Sequence, residues 1–148
     1  MDAYAQLTGG PVRVIATHLG LRPGERRWQL ERLREIVQEN LAIPAILLGD
    51  LNLWRDGRNG QPLSDLFDVR TRHRSFPSYC PLLPLDRIMC RSGLRLESSR
   101  TVREASAASD HLPVVAVIEE PKAPKAPKFA GATPMPQQLP PKRLQLLA

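Results

Sequence analysis

The feature that most constrains the fold is an apolar run that stops abruptly at a glycine, an acid and an amide, AILLGDLN at residues 45–52. An apolar stretch without alternation is typical of a strand that is covered on both faces. The fold must therefore place a packing layer on each side of this strand. Asp50 and Asn52 are two residues apart and would project to the same side if the extended geometry continues, so they could share one ligand.

Strands and one helix alternate along the chain. Residues 12–19, VRVIATHL, are rich in β-branched side chains and follow the turn signal Gly9-Gly10-Pro11, which predicts a strand. Residues 21–41 place apolar side chains at three- and four-residue spacings, which predicts an amphipathic helix. Further strands are predicted at the segments PLDRIMC, LRLESSRTV and HLPVVAVIEE. This order predicts an α/β fold.

Composition divides the chain into three parts. Its 148 residues and 42% hydrophobic content suit one ordinary domain with a core. We place that domain at residues 12–120, after a lead-in at residues 1–11. Residues 121–148 repeat proline, lysine and small side chains, which cannot form a core, so we predict a disordered, semi-stiff tail.

The net charge of +6 is concentrated in that tail. Four lysines and Arg143 follow Pro121 without a single acid, whereas residues 1–120 hold sixteen arginines against fifteen acids. A nearly neutral body does not favour a surface for a phosphate backbone, so nucleic acid stays an open but not a favoured partner.

The chain carries no membrane or export signal. No stretch approaches the ~20 apolar residues of a membrane helix, and the opening residues lack the basic start and apolar run of a signal peptide. We therefore expect no transmembrane segment and a cytoplasmic location. Cys80 and Cys90 are the only cysteines and lack a companion histidine pattern, so we expect reduced thiols and neither a disulfide framework nor a zinc site.

Polar side chains stand at the ends of the predicted strands, where a rigid scaffold usually presents chemistry. These candidate site residues are His18, Asp50, Asn52, Asp86, Asp110 and His111. We interpret Trp28, Trp54 and Phe76 as packing residues and not as base-stacking platforms, and His73 as a solvated surface histidine.

Four short motifs occur in a fixed order at these strand ends: THL at residues 17–19, GDLN at 49–52, LDRI at 85–88 and SDHLPV at 109–114. With them the chain resembles the endonuclease/exonuclease/phosphatase family, which consists of DNase I-like, metal-dependent phosphoesterases. The resemblance covers residues 12–119 and corresponds to the later half of the family fold, a four-layered α/β/β/α sandwich. It implies a mainly antiparallel or mixed sheet with a flanking helix.

The resemblance assigns roles in phosphate-ester cleavage to the first two motifs. Asp50 would orient or deprotonate the attacking water, and Asn52 would donate its amide NH₂ to a phosphate oxygen. His18 resembles a phosphate-contacting histidine of the family. These residues imply a phosphodiesterase, nuclease or phosphatase that acts on a phosphate ester of unknown identity.

The last two motifs would supply a proton-transfer pair and a metal ligand. His111 and Asp86 resemble the family's paired histidine and carboxylate, in which the carboxylate favours the protonated imidazole, so His111 could contact the phosphate or transfer a proton. Asp110 resembles a carboxylate beside Mg²⁺ or Mn²⁺, and such oxygen ligands suit Mg²⁺.

The family's earlier half, with an asparagine and the glutamate that is its principal metal ligand, has no counterpart in this sequence. We therefore expect weak Mg²⁺ binding and little activity from this chain alone. The alternatives are an inactive truncated fragment and a phosphate-binding module without catalysis. The substrate stays open among nucleic acid, phospholipid and small phosphate esters.

The missing half also has a packing consequence. One face of a sheet in such a sandwich is normally covered by its twin sheet, so we expect a bare apolar face to which Ile15, Leu47 and Leu48 contribute. This face predicts self-association or pairing with a separate first half.

Overall fold

The computed structural model describes residues 1–54, 63–120 and 143–148. Within these ranges the chain forms one α-helix, α1 (Pro23–Gln38), and a 3₁₀ turn at Arg103–Ala105. The strands are β1 (Asp2–Leu7), β2 (Gly10–His18), β3 (Ala45–Asp50), β4 (Val69–Arg70), β5 (Asp86–Cys90), β6 (Arg95–Thr101), β7 (Val114–Glu119) and β8 (Arg143–Leu147). No helix in the described part of the chain is long and apolar enough to cross a membrane.

Five strands form the larger sheet, in the order β1-β2-β3-β5-β4. The strands β2 and β3 are parallel and are connected through α1, whereas the other neighbours are antiparallel. Ile15 and Leu47 are register partners, as are Leu47 and Met89, so these three side chains lie on one face of the sheet. They are buried in one core with Leu30, Leu33 and Val37 of α1. The helix therefore covers this face of the sheet.

A second sheet, β6-β7-β8, covers the opposite face. Ile46 and Ile88 of the larger sheet are buried in a second core with Val114 and Ile118 of β7. The expectation of a bare face on the larger sheet is therefore wrong. Ile15 and Leu47 are buried in the core that contains the α1 residues, and Leu48 packs against the core between the sheets. The described layers follow the order helix, sheet, sheet.

The lead-in predicted for residues 1–11 contains a strand. β1 pairs antiparallel with the first six residues of β2, Gly10 to Ile15, and the buried residue Arg13, 4% exposed, joins this hairpin to the helix. Arg13 Nε donates to Asp2 Oδ1 at 2.9 Å, and its Nη1 donates to the carbonyl oxygen of Ile36 at 2.8 Å. The hydrogen bond from Arg13 lowers the pKa of Asp2, so both charges are compensated.

The last residues of the predicted disordered tail are also a strand. β8 pairs antiparallel with β7, and Val114 and Ala148 exchange backbone hydrogen bonds of 2.8 Å. Leu146 and Ala148 pack against the core between the sheets. Strand pairing and this burial stabilise β8, so the prediction of disorder is wrong for residues 143–147. Residues 121–142 of the predicted tail lie outside the described residues.

Candidate active site

Three strands bring their polar ends to one edge of the larger sheet. His18 and Asp50 are register partners at the carboxyl ends of the parallel strands β2 and β3. Asp86 begins β5 and is the register partner of Asp50, because β5 runs antiparallel to β3. The sheet topology therefore places three of the candidate residues side by side on adjacent strands.

Backbone geometry at the end of β3 depends on Gly49 and Asn52. Gly49 has φ +134°, and a Cβ built there would lie 1.8 Å from the carbonyl oxygen of Thr17. Asn52 has φ 50°, a left-handed conformation that asparagine tolerates better than most residues. The motif GDLN therefore fits a close approach of β3 to β2, followed by a left-handed residue.

Asn52 is almost fully buried, 2% exposed, and holds Asp50 in place. Its backbone N–H donates to Asp50 Oδ1 at 2.8 Å, and its Nδ2 donates to Asp50 Oδ2 at 3.2 Å. The same Nδ2 donates to the carbonyl oxygen of Leu19 at 2.7 Å. Both hydrogens of the amide NH₂ thus have protein acceptors, whereas the sequence assigned them to a phosphate oxygen. In this structure Asn52 orients the carboxylate.

Two imidazoles approach the carboxylate of Asp50. His18 Nε2 lies 3.5 Å from Asp50 Oδ2, and His111 Nε2 lies 4.0 Å from the same oxygen. The side chain of His18 is mostly exposed, whereas that of His111 is largely covered. Asp50 Oδ2 therefore lies within reach of both rings.

His111 and Asp86 form the pair that the sequence predicts. His111 Nδ1 lies 2.7 Å from Oδ2 of the buried Asp86. Burial alone would lower the pKa of His111, but the hydrogen bond and the charge of Asp86, together with the charges of Asp50 and Asp110, outweigh burial and raise this pKa above its ordinary value. His111 therefore keeps its proton to higher pH than an isolated histidine.

The loop that carries His111 is held by a segment to which the sequence gave no role. Leu112 N donates to the carbonyl oxygen of Ser75 at 2.8 Å, and Ser78 N donates to that of Asp110 at 2.7 Å. The ring of Phe76 lies 4.8 Å from the His111 ring, centroid to centroid, at 49°. Phe76 thus packs, as predicted, and it packs against a site residue.

A cavity of about 500 Å³ opens at this edge of the sheet. All six candidate residues line it: His18, Asp50, Asn52, Asp86, Asp110 and His111. Trp54 also lines it and is 59% exposed, so its interpretation as a packing residue is wrong. Trp28 is 66% exposed and does not pack in the core either. His73 is half-buried, with Nε2 2.7 Å from Ser99 Oγ, so it is not a solvated histidine.

The metal ligand that the sequence predicts, Asp110, lies at the cavity with an exposed side chain. The hydroxyl of Ser109 donates to Asp110 Oδ1 at 3.4 Å. Within residues 1–54, 63–120 and 143–148, no group of three or more His, Cys, Asp or Glu side chains is arranged to hold a metal ion.

A family model and a curated relative both match this chain. A family model described as the Endonuclease/Exonuclease/phosphatase family matches residues 3–111. The uncharacterized protein YbhP of Escherichia coli K12 is 36% identical over an aligned length of 122 residues, and the alignment covers 76% of this chain and 48% of YbhP. This chain therefore spans about half the length of the curated relatives that it matches.

Solved structures share the fold at lower identity. An endonuclease/exonuclease/phosphatase from Beutenbergia cavernae superposes with a TM-score of 0.60 at 22% identity, over 84% of this chain and 40% of that one. The mannosyl-6-phosphatase Bt3783 of Bacteroides thetaiotaomicron superposes with a TM-score of 0.59 at 17% identity, over 72% and 51% of the two chains. Because the family model matches residues 3–111 and the four motifs of this chain occur in the family's order, this chain belongs to the endonuclease/exonuclease/phosphatase family.

Proposed function

We propose that this chain carries the water-activating and phosphate-contacting side chains of a phosphate-ester hydrolase. The observation that supports this best is the convergence at Asp50, where one carboxylate oxygen lies 3.5 Å from His18 Nε2 and 4.0 Å from His111 Nε2. A carboxylate between two imidazoles can accept a proton from water while the imidazoles neutralise a phosphate. Membership of the family supports phosphate-ester hydrolysis in general.

The proposed step is the displacement of an ester oxygen at phosphorus by water. The water oxygen forms the new bond to phosphorus and gives a proton to Asp50, while the leaving oxygen departs with the bonding electron pair. His111, protonated because Asp86 lies 2.7 Å from its Nδ1, donates from Nε2 to a non-bridging phosphate oxygen. His18 would contact a second oxygen. Asn52 keeps the Asp50 carboxylate oriented through its bonds of 2.8 and 3.2 Å.

We propose that Mg²⁺ or Mn²⁺ takes part only weakly in this chain alone. Asp110 would be one ligand, but the described residues offer no group of three ligands, so we assign no step to a metal. By the family resemblance, a further carboxylate, from a segment outside the described residues or from a partner, would complete the site. We therefore expect low activity for the isolated chain.

The test is hydrolysis of bis(4-nitrophenyl) phosphate and 4-nitrophenyl phosphate, with and without Mg²⁺ or Mn²⁺. We expect slow turnover that falls by about 10²-fold or more in Asp50→Asn, because the water loses its base. Asp65→Asn is the matched control, since Asp65 pairs with Arg34 on the helix and does not line the cavity. Equal turnover in Asp50→Asn and the unaltered chain would contradict the proposal.

A second candidate is a phosphate-binding module without catalysis, because His18 and His111 both line the cavity. The same cavity would then hold phosphate through His18 and His111 with no turnover. Binding of methylphosphonate that disappears in His111→Ala, with no hydrolysis of either nitrophenyl ester at any metal concentration, would favour this second candidate.

A further inference from the structure

The lining of the cavity contains two sets of side chains. The first set, which we call the polar wall, consists of the six residues described above and Ser109. The second set is apolar and consists of Leu21, Trp54, Phe76 and Leu85. Leu85 is buried and Phe76 is half-buried, so they support the cavity from inside the fold. Leu21 and Trp54 are 71% and 59% exposed, so they offer apolar surface to whatever enters.

The position of these two side chains follows from the sheet. Leu21 lies three residues after His18, and Trp54 lies four residues after Asp50. Because β2 and β3 are parallel and adjacent, the segments that follow them leave the sheet at the same edge. Single exposed apolar residues are ordinary, but a leucine and a tryptophan on one cavity, next to its charged groups, form a surface that a ligand can cover.

The charges of the cavity restrict the ligand further. The polar wall contains three carboxylates and two imidazoles, and none of the described residues that line the cavity is a lysine or an arginine. Each additional phosphate group would place more negative charge beside these carboxylates, and no lysine or arginine among the described lining residues would offset it. A ligand with one phosphate group and an apolar remainder therefore fits better than a polyphosphate or a long nucleic-acid strand.

We propose that Leu21 and Trp54 form an apolar subsite that binds the organic substituent of a phosphate ester with a single phosphate group. The proposal rests on the proposed function, because the phosphate would occupy the polar wall beside His111 and His18. The substituent is an alkyl or aryl group that covers Trp54 and Leu21 and removes them from water. Its apolar area sets which phosphate esters bind tightly.

The test measures binding and does not depend on turnover. Methylphosphonate, hexylphosphonate and phenylphosphonate are titrated into the full chain, and affinities are taken from amide and indole chemical shifts in NMR spectra. We expect hexyl- or phenylphosphonate to bind about tenfold or more tightly than methylphosphonate, because partial burial of five or more added carbons has this effect. The larger of the two gains identifies an alkyl or an aryl substituent.

Variants then test whether Leu21 and Trp54 cause the higher affinity for the larger phosphonates. Trp54→Ala and Leu21→Ser should each lower the ratio of the affinity for the larger phosphonate to the affinity for methylphosphonate. Trp28→Ala is the matched control, because Trp28 is equally exposed, 66%, and does not line this cavity. It should leave both affinities as they are.

The outcomes separate the subsite from the proposed function. If the larger phosphonates bind no more tightly than methylphosphonate, or if Trp54→Ala keeps the preference, the subsite is overturned while the phosphate site stands. If the preference depends on Trp54 but His111→Ala binds all three phosphonates unchanged, the subsite is supported and the proposed function fails. If none of the three phosphonates binds, both the subsite and the proposed function are overturned.

Discussion

At the scale of single residues, the site depends on how each side chain fixes its neighbour. Asn52 donates a hydrogen bond to Asp50, and Asp86 is hydrogen-bonded to His111. Asp50 and His111, each held in this way, both line the cavity. His111 differs from the others because its protonation depends on groups that the sequence places far away. Asp86 lies 25 positions before it in the chain and only 2.7 Å from its Nδ1.

This geometry predicts how His111 titrates. Its pKa is raised above the ordinary value of 6.5, so protonated His111 stabilises the native state fully below pH 6.5. That contribution disappears as the pH rises through the raised pKa. Replacement of Asp86 by Asn keeps a hydrogen-bond acceptor and removes the charge, so the pKa of His111 should fall.

The titration is followed by NMR of the imidazole, in the unaltered chain and in Asp86→Asn. Phosphonate binding should weaken at a lower pH in the variant, since the charged imidazole is lost earlier. Asp65→Asn, which removes a carboxylate outside the cavity, should leave the His111 titration unchanged. An unchanged His111 pKa in Asp86→Asn would show that the pair does not control its protonation.

At the scale of elements, the site exists because β2 and β3 approach closely at their carboxyl ends. A methyl group at Gly49 would lie 1.8 Å from the backbone of Thr17, and φ +134° is itself strained for any L side chain. Gly49→Ala should therefore destabilise the fold by about 2 kcal/mol or more. The free energy of unfolding in urea measures this effect.

Gly24 offers the matched control for that substitution. It lies in the first turn of α1, and a Cβ there would meet nothing within 4 Å. Gly24→Ala should leave the protein equally or more stable, by up to about 1 kcal/mol, because alanine is the better helix former. If Gly49→Ala and Gly24→Ala had the same stability, the close approach of β2 and β3 would not limit the residue at 49.

The sequence predicted most of the site because its signals are local. Motifs at strand ends give the positions of His18, Asp50 and His111, and the structure brings them to one cavity. The exposure of Trp54 was not predictable, because an aromatic residue that follows a strand can lie in the core as well as on the surface. The hydrogen bonds of Asn52 to Leu19 and Asp50 were not predictable, because both acceptors depend on the fold at the end of β3, and its donation to phosphate stays a prediction.

The sequence did not predict the strands β1 and β8, for a different reason. β1 is mostly exposed and has no β-branched residue, and it is ordered through pairing with β2 and the ion pair of Asp2 with the buried Arg13. β8 is short and follows a proline-rich segment, and it is ordered through pairing with β7. In both cases tertiary contacts decide the structure, and local propensity does not.

At the scale of the whole molecule, β8 protects an edge. β7 lies between β6 and β8, so the chain without β8 would expose the backbone N–H and C=O groups of β7 along one side. It would also uncover part of the core between the sheets, where Leu146 and Ala148 pack near Ile118. Unpaired strand edges and apolar patches both promote association.

A chain that ends at residue 142 should therefore unfold at a lower temperature and self-associate, as measured by thermal unfolding and light scattering. A milder variant separates packing from strand pairing: Leu146→Asn keeps the backbone of β8 and puts an amide against the core. We expect it to cost about 1 to 3 kcal/mol, whereas Leu82→Asn, at an exposed position, should cost little. A truncated chain that stays monomeric with unchanged thermal stability would show that β8 does not protect the second sheet.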